Sequence, residues 1–390
     1  MHAVIFGAGN IGRGFLGLLL RNAGYEITFI DVDLQKVHEL QTRKAYPVYI
    51  VSKDGVNRQV VTDVFAHPLS DRPTVVNALN NADLILTAVG KDALAAVAPL
   101  LTIALQKRIQ RGNEAAVTVV ACENVHDNTQ YLRKLVIDNA DTVRLRELLG
   151  EIAVYPNCVV DRIVPNVLPV DDPNPLAVAV EDYFQFAIDG SMLGRKGFPA
   201  IPGVQVVSDL APTLEQKLCT LNAAHAIVAY YGFASKYQYV HEAVKDDDIQ
   251  QLVHGMLREV EFLLTRRHPS ISIAGQRMYA RKVLARFENP YLRDEVTRVA
   301  RQPKRKLSAD DRLVKPARLL AAEQDMQPVY LATGITAALH YDFHGDSQAQ
   351  ELVSDIREQG VARVLQHVAG IDPASDLGRM VTAGYVYRGL

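Results

Sequence analysis

A glycine-rich turn near the amino terminus constrains the fold of this chain more than any other feature. Gly7, Gly9 and Gly12 follow a short apolar run at residues 3–6 and open a helical pattern over residues 11–22. In such a strand–turn–helix the first glycine permits the tight turn, and the second lets the backbone approach a pyrophosphate. The third allows the helix and strand to pack closely. The turn therefore predicts a dinucleotide-binding unit whose first helix begins at the phosphates.

Short β-branched runs continue to alternate with helical patterns along the first half of the chain. This alternation predicts an α/β Rossmann domain with a doubly wound, mostly parallel sheet. Alternating apolar residues between positions 153 and 189 predict extra strands added to the same domain. Residues 194–203, which contain Gly and Pro, mark the crossing to a second domain. Strands are predicted at residues 26–31, 84–88 and 117–121, and helices at residues 33–42 and 91–110.

The second half of the chain, from about Asp209, has a helical pattern and predicts a mostly α-helical domain. An acid-rich helix start is expected at residues 246–248, and an acidic capping box at residues 308–311. The expected domains are residues 1–195 for cofactor binding and 196–390 for substrate binding and catalysis. Helices are predicted over residues 213–231, 249–264, 347–366 and 372–384.

Composition and charge exclude several classes of protein. The 390 residues carry a net charge of −2, which provides no global field toward nucleic acid or an anionic membrane. Cys122, Cys158 and Cys219 are too few and too scattered for a disulfide framework. The first residues run directly into a strand pattern, and no apolar stretch reaches the roughly 18–20 residues of a spanning helix. We therefore expect a cytoplasmic protein that binds neither nucleic acid nor membrane.

The end of the second predicted strand indicates which dinucleotide is bound. Asp31 stands about twenty residues after Gly12, where a carboxylate can accept both ribose hydroxyls of NAD. Its neighbour Val32 cannot neutralise a 2′-phosphate, so NAD is favoured over NADP. Two alternatives stay open at this point: a glycine turn with purely structural duties, and a flavin-binding Rossmann domain. Nothing in the second half suggests an isoalloxazine site.

Residues at the ends of later strands are expected near the nicotinamide, because ligands of open α/β sheets bind beyond the carboxyl ends of strands. Gly90 follows one predicted strand and Asn124 follows another. For Gly90 an ordinary strand-end turn remains an alternative. The predicted cofactor-binding residues are Ala3, Val4, Ile5, Phe6, Gly7, Ala8, Gly9, Asn10, Ile11, Gly12, Arg13, Gly14, Asp31, Ala88, Val89 and Gly90.

Polar residues inside an otherwise apolar helical stretch are the candidates for hydride-transfer chemistry. That chemistry needs a group to take the hydroxyl proton and donors to hold the oxygen. With Lys217 at zero and 100° per residue, His225 lies near 80° and Asn222 near 140°, a spread that fits one broad wall of a cleft. A snorkelling Lys217 and a core His225 bonded to a carbonyl remain alternatives.

A basic block between residues 298 and 318 is the candidate for anion binding. Arginine forks and the amides of the helix start expected at Ser308 both suit a phosphate. The alternative is a solvated charged face. The basic residues are Arg298, Arg301, Lys304, Arg305, Lys306, Arg312, Lys315 and Arg318, against Asp310 and Asp311.

Several of these motifs together resemble the polyol-specific long-chain dehydrogenases. They are the Lys-x4-Asn-x2-His pattern from Lys217, the amino-terminal FGAGNIGRGF, and RFENP at residues 286–290. DRIVP at 161–165 and RQPKRKLSADDRL at 301–313 narrow the resemblance to members acting on a hexitol phosphate. The resemblance extends to about Pro316 and is vague beyond it.

The resemblance implies reversible, metal-independent oxidation of D-mannitol 1-phosphate to D-fructose 6-phosphate with NAD. The matching Lys217 is then the general acid/base, Asn222 holds the reacting oxygen with Asn124 as a second candidate, and His225 orients the substrate and the lysine. The metal-independence agrees with the sequence, where no His/Cys/Asp cluster has zinc spacing.

By the same resemblance Arg298 and Lys306 contact polyol hydroxyls, which leaves Arg301, Lys304 and Arg305 as phosphate candidates. The expected partner is a small phosphorylated polyol or ketose, bound by a monomer or weak homodimer. Two other functions stay open: a free-hexitol or hexuronate oxidoreductase of the same family, and an NAD-sensing binding protein without turnover.

Overall fold

The computed structural model describes residues 1–112, 116–194, 197–323 and 325–388. It divides into two units, Met1–Leu210 and Ala211–Leu390. The boundary expected between residues 195 and 196 falls on residues outside the described ranges. The segment that follows it in the chain, up to Leu210, belongs to the first unit.

The strands of the first unit form one parallel sheet and two smaller sheets. The strands are β1 (His2–Phe6), β2 (Glu26–Asp31), β3 (Ala45–Ser52), β4 (Gly55–Thr62), β5 (Val64–Pro68), β6 (Leu84–Thr87), β7 (Val117–Ala121), β8 (Ala153–Val154), β9 (Cys158–Asp161), β10 (Val178–Glu181), β11 (Gln185–Asp189) and β12 (Val204–Val207).

The main sheet has the order β5-β2-β1-β6-β7-β8, and each neighbouring pair is parallel. The winding reverses between β1 and β6, which is where open α/β sheets bind ligands. Ala3 and Ile5 pack into the hydrophobic cluster on one face, and Val4 and Phe6 into the cluster on the other. A strand buried on both faces reads as a continuous apolar run, so β1 carries no alternating pattern. The predicted doubly wound sheet is confirmed.

The two small sheets enlarge this unit. In one, β4 pairs antiparallel with β3, and β3 pairs with β10. In the other, β11 lies between β9 and β12. The extra strands predicted between residues 153 and 189 are confirmed, whereas the hairpin of β3 and β4 was not predicted.

The helices of the first unit are α1 (Leu18–Asn22), α2 (Leu34–Arg43), α3 (Arg72–Asn80), α4 (Leu94–Gln110), α5 (Asn128–Asp138) and α6 (Val143–Ile152). A π-helical segment, Gly12–Gly17, precedes α1, and short 3-10 turns occur at Lys91–Ala93 and Gly190–Met192.

The second unit is helical, as predicted. Within the described residues no helix is both long and apolar enough to span a bilayer. Its helices are α7 (Ala211–Gln216), α8 (Ala223–Ala234), α9 (Val240–Ala243), α10 (Asp247–Arg267), α11 (Ile273–Phe287), α12 (Val296–Ala300), α13 (Pro303–Lys306), α14 (Val314–Ala321), α15 (Val329–Leu339), α16 (Ser347–Gln359), α17 (Val361–Val364) and α18 (Asp376–Arg388). Lys217–Asn222 and Leu365–Ala369 are π-helical, and Pro290–Leu292 is a 3-10 turn.

Helix starts in this unit test the capping predictions. The Asp246 carboxylate accepts hydrogen bonds from the backbone N–H groups of Asp248 and Ile249, which confirms the acid-rich start of α10. The capping box at Ser308 is wrong, because α14 begins only at Val314. The acid that would complete the box, Asp311, instead accepts hydrogen bonds from Arg312.

Two helix extents in the last part of the chain also differ from prediction. The helix expected over residues 347–366 is broken at Gly360, whose φ of +80° ends α16. The helix expected from residue 372 begins at Asp376.

Candidate active site

The glycine turn after β1 has the geometry that the motif requires. Gly7 has a φ of +94°, and its N–H donates to the Ile30 carbonyl at 2.8 Å. A Cβ atom on Gly12 would lie 1.9 Å from the Gly7 carbonyl oxygen, so only glycine fits there. A Cβ on Gly9 would meet no protein atom within 4 Å. The turn is therefore closed against the protein at Gly7 and Gly12 and open at Gly9, where a pyrophosphate would approach.

The other residues predicted to bind the cofactor at this turn differ in their solvent exposure. Gly9, Asn10 and Ile11 are partly exposed, whereas the side chains of residues 3–6 are buried in the core and contribute the strand that positions the turn. Arg13 is also buried, and its guanidinium donates to the carbonyls of Ala8 and Leu176. Arg13 thus supports the turn from behind.

Asp31 ends β2 beside the turn. One carboxylate oxygen accepts from the Ala8 N–H at 2.6 Å and the other from the Asp33 N–H at 2.9 Å. These contacts fix the carboxylate, which is half-buried, at the place where ribose hydroxyls would bind. A cavity of about 350 Å³ opens next to it, with walls that suit an adenine ring. It is lined by Val32, Leu69, Ser70, Arg72, Ala96 and Leu100.

The loop after β6 is held by a residue that sequence reasoning missed. The buried Glu123 carboxylate accepts from the Thr87 hydroxyl at 2.9 Å and from the N–H groups of Val89 and Gly90 at 3.0 and 2.8 Å. Asn124, the next residue, is exposed at the carboxyl end of β7. Glu123 therefore fixes the loop expected at the nicotinamide, in which Gly90 has a φ of +87°.

In the second unit, the predicted catalytic side chains lie on a π-helical segment. A π-helix is closed by hydrogen bonds between residues five apart, so Asn222 lies about one turn beyond Lys217 on the same side. The α-helix resumes at Ala223, and His225 stays on this side, three residues after Asn222. The angles expected from 100° per residue therefore do not hold across the π-helical segment. The three half-buried side chains share one side of the helix and are not spread over about 140°.

A buried glutamine braces this segment. The Gln276 amide donates to the Thr220 hydroxyl at 2.9 Å, and its carbonyl oxygen accepts from Gln216 at 2.9 Å. Gln276 is fully buried on α11. The π-helical turn that carries Lys217 is therefore tied on both sides of that residue.

Asp294 links two predicted residues and was not itself predicted. One carboxylate oxygen accepts from both Nε and Nη2 of Arg298 at 2.6 Å, and the other lies 3.1 Å from Nε2 of His225. Although burial opposes ionisation, these contacts lower the pKa of Asp294 to about 2. Burial lowers the pKa of His225 despite the carboxylate, and its ring stacks on Phe287 with centroids 4.7 Å apart. The imidazole and the guanidinium are therefore held by a single anion.

A group of positive side chains follows in the chain, which we name the cationic cluster: Arg301, Arg305, Lys306 and Arg312. Lys306 and Arg312 are buried, whereas Arg301 and Arg305 are exposed. The Lys306 ammonium donates to the Arg301 carbonyl. Burial and the guanidinium groups of Arg312, Arg305 and Arg301 lower the pKa of Lys306 to about 6, against the opposing effect of Asp311. Lys306 is therefore largely neutral at pH 7, and the three arginines carry the positive charge of the cluster.

Lys304, a predicted phosphate ligand, is directed elsewhere. Its ammonium lies 3.3 Å from the Glu351 carboxylate and 2.9 Å from the Asp355 carboxylate, both on α16. These contacts raise the pKa of Lys304. The structure therefore separates Lys304 from the cationic cluster. Among the residues that the structure describes, no group of three or more His, Cys, Asp or Glu side chains could hold a metal ion.

Comparisons with known proteins cover both units. Residues 1–199 match the model of the mannitol dehydrogenase Rossmann domain, and residues 209–384 that of the mannitol dehydrogenase C-terminal domain. A mannitol-1-phosphate 5-dehydrogenase of an Exiguobacterium species is 40% identical over 99% of this chain and 97% of its own length. The enzyme of that name from Caldanaerobacter subterraneus subsp. tengcongensis is 38% identical, over 99% and 98%.

Solved structures share the fold. The Pseudomonas fluorescens mannitol 2-dehydrogenase, in a ternary complex with NAD and D-mannitol, has a TM-score of 0.79 at 18% identity, over 99% of this chain and 91% of that chain. A substrate-free D-sorbitol dehydrogenase has a TM-score of 0.78 at 18% identity, over 98% and 91%. From these matches along its whole length, the chain belongs to the mannitol dehydrogenase family.

Proposed function

We propose that this chain catalyses the reversible, NAD-dependent oxidation of D-mannitol 1-phosphate to D-fructose 6-phosphate. The curated relatives that share 38–40% identity over nearly the whole chain carry the name mannitol-1-phosphate 5-dehydrogenase. The observation that carries the proposal is the alignment of Lys217, Asn222 and His225 on one side of a braced helix. A chain that only sensed NAD would have no need for this arrangement.

The residues present fit the dinucleotide. The open side of Gly9 would receive the pyrophosphate, Asp31 the adenosine ribose, and the cavity beside Val32 the adenine. The loop that ends at Gly90 would border the nicotinamide. NAD, when bound, supplies the acceptor for the hydride.

We assign the catalytic and substrate-binding roles to the following side chains. Lys217 takes the hydroxyl proton of the substrate, and Asn222 donates to the oxygen as negative charge develops on it. Asn124 is the second candidate for that donation. His225 orients the substrate and the lysine, and Arg298 and Lys306 bind polyol hydroxyls. Preorganised donors of this kind stabilise a transition state without reorganising during the reaction.

Two expectations, on the oligomeric state and on the cellular compartment, complete the proposal. The chain acts as a monomer or weak homodimer, which light scattering after size-exclusion chromatography would check. All three cysteines are free and buried, which suits a reducing compartment such as the cytoplasm.

The proposal is tested by following NADH absorbance in both directions with the purified protein. We expect NADH to form from NAD and D-mannitol 1-phosphate and to be consumed with D-fructose 6-phosphate. Turnover of a hexuronate but not of the hexitol phosphate would favour another oxidoreductase of the family. Binding of NADH without turnover of any polyol or ketose would favour an NAD-sensing protein.

A further inference from the structure

The cationic cluster has an imbalance of charge that the roles above do not explain. Three guanidinium groups, those of Arg301, Arg305 and Arg312, act together on the pKa of Lys306, which at about 6 leaves that lysine largely neutral at pH 7. The Asp311 carboxylate accepts from Arg312 at 2.8 Å and lies 3.6 Å from Arg305. Like charges held together repel each other, and a buried cation is stable only when an anion compensates it. Arg312 is less than one-tenth exposed, and the three guanidinium groups carry more positive charge than the Asp311 carboxylate balances. A bound anion would compensate the remainder.

An independent observation comes from Tyr230 on α8. Its side chain is 1% exposed, and its hydroxyl finds no hydrogen-bond partner among the described residues. Burial raises the pKa of Tyr230, and the Asp346 carboxylate and Tyr341 act in the same direction, against the opposing charges of Arg312 and Arg305. A buried hydroxyl without a partner is costly, and this one remains a neutral donor beside guanidinium groups. It is therefore suited to donate to an oxygen of the same anion.

The cationic cluster is open to solvent on one side and buried on the other. Arg301 and Arg305 are exposed, whereas Lys306 and Arg312 lie beneath them, so the cluster has an open side and a buried floor. Tyr230 follows His225 by about 7.5 Å along the axis of α8, given the helical rise. At 100° per residue Tyr230 lies about 140° around α8 from His225, so the donor faces a different side of the helix from the residue proposed to orient the substrate.

We propose that Arg301, Arg305 and Arg312, above Lys306 and with the Tyr230 hydroxyl, form the site that binds the phosphate monoester of the substrate. This inference rests on the proposed function, because it assigns the phosphorylated end of the same polyol. Guanidinium forks match a phosphate through paired, charge-assisted hydrogen bonds. Lys304 takes no part, because its ammonium is bound to Glu351 and Asp355. Compared with the set of Arg301, Lys304 and Arg305 expected from the sequence, the site loses Lys304 and gains Arg312, Lys306 and the Tyr230 hydroxyl.

The first test needs no activity. Thermal unfolding of the cofactor-free protein is measured with increasing inorganic phosphate, for the wild type and for Arg305→Gln, Arg312→Gln, Tyr230→Phe and the control Lys304→Gln. A ligand that binds only the native state raises Tm with its concentration. We expect wild type and Lys304→Gln to show this rise, and the other variants to show much less of it. An equal response in all five proteins would overturn the site.

The second test uses the reaction. Arg305→Gln and Arg312→Gln should raise KM for D-mannitol 1-phosphate by about ten- to a hundredfold, the effect of one charge-assisted contact, while KM for NAD stays unchanged. Tyr230→Phe should raise the same KM by about tenfold without lowering Tm, because it removes a hydroxyl that has no partner. It therefore serves as the informative variant if either arginine variant fails to fold.

The outcomes separate the two proposals. If wild type failed to oxidise D-mannitol 1-phosphate, the proposed function would fail, while the phosphate-dependent Tm shift would still test the anion site. If wild type were active but Lys304→Gln raised KM as much as Arg312→Gln, the phosphate would lie toward α16 and this assignment would be wrong.

Discussion

Replacing Asp294 by asparagine should cost both stability and activity, because one buried carboxylate holds His225 and Arg298. Asparagine keeps the shape of the side chain but loses its charge and one acceptor oxygen. Arg298 then loses a charged partner that it contacts through two nitrogens at 2.6 Å, and His225 loses its contact at 3.1 Å. The variant therefore removes the anion without creating a cavity.

Two estimates of the stability loss agree. Removing one partner of a buried, hydrogen-bonded ion pair costs about 3–5 kcal/mol. Independently, a pKa lowered from 3.8 to about 2 corresponds to roughly 2–3 kcal/mol of native-state stabilisation. We expect a loss of about 3 kcal/mol at pH 7, a large part of the roughly 5–15 kcal/mol that a native protein has.

The pH dependence of this loss has a definite sign. Asp294 has a lowered pKa in the folded protein, so its contribution is fully present above the unfolded value of 3.8 and disappears as the pH falls through about 2. The difference in stability between wild type and Asp294→Asn should therefore begin to shrink near pH 4 and be largely lost near pH 2.

Urea unfolding followed by circular dichroism measures the loss, since the chain has no tryptophan. Glu261→Gln is a matched control, because Glu261 pairs with Arg277 through two contacts at 2.8 Å but the arginine side chain is 63% exposed. An exposed pair contributes at most about 1 kcal/mol. Steady-state kinetics should show kcat/KM for the hexitol phosphate about tenfold lower in Asp294→Asn, with KM for NAD unchanged. An Asp294→Asn protein as stable and as active as Glu261→Gln would refute the reasoning.

Three further changes test other parts of the account. Lys217→Ala should lower kcat about a hundredfold or more while leaving NADH binding nearly intact, as measured by single-turnover kinetics and fluorescence titration; near-wild-type turnover at neutral pH would end its role as the base. Gly9→Val should weaken NADH binding without lowering Tm, because the Cβ atom would point into open space. Gly12→Ala should lower Tm, because its Cβ atom would overlap the Gly7 carbonyl. Equal losses of Tm in the two variants would contradict the proposed approach of the pyrophosphate to Gly9. NAD should give a higher kcat/KM than NADP, because a 2′-phosphate would meet the Asp31 carboxylate, and an equal or better value with NADP would contradict this role of Asp31.

The cofactor half of the fold was predictable because its signals are local and steric. The glycine turn requires Gly7 and Gly12 for reasons that hold within a few residues, and the buried parallel strands form plain apolar runs. The hairpin of β3 and β4 carries a signal too, since the pair Asp54-Gly55 is typical of a tight turn. Lys53 and Asp54 form that turn, and Gly55 begins β4.

The π-helical segment was not predictable from periodicity. Its apolar spacing is compatible with an ordinary α-helix, and only the tertiary bracing by Gln276 and the observed i to i+5 bonds distinguish it. Lys217, Asn222 and His225 lie along one helical stretch, as expected, but a spacing of 100° per residue does not apply across the π-helical turn that joins them.

Glu123 and Asp294 were missed because their partners are set by tertiary structure. Glu123 binds Thr87, which is 36 positions earlier in the chain. Asp294 has Arg298 four residues away, which gives a local signal, but it contacts His225 on α8, which is far away in the sequence. The prediction of a capping box at Ser308 was also overridden by other contacts. The local sequence pattern was present, but the Asp311 carboxylate accepts a hydrogen bond from Arg312 instead.

The ratio of kcat/KM for D-mannitol 1-phosphate to that for D-mannitol, measured with NAD under identical conditions, tests the central claim most directly. A phosphate bound by charge-assisted contacts contributes at least about 1.5–3 kcal/mol, so the account predicts a preference of about ten- to a hundredfold or more for the phosphorylated substrate. An equal or higher kcat/KM for free D-mannitol would contradict the account and make the chain a free-hexitol dehydrogenase.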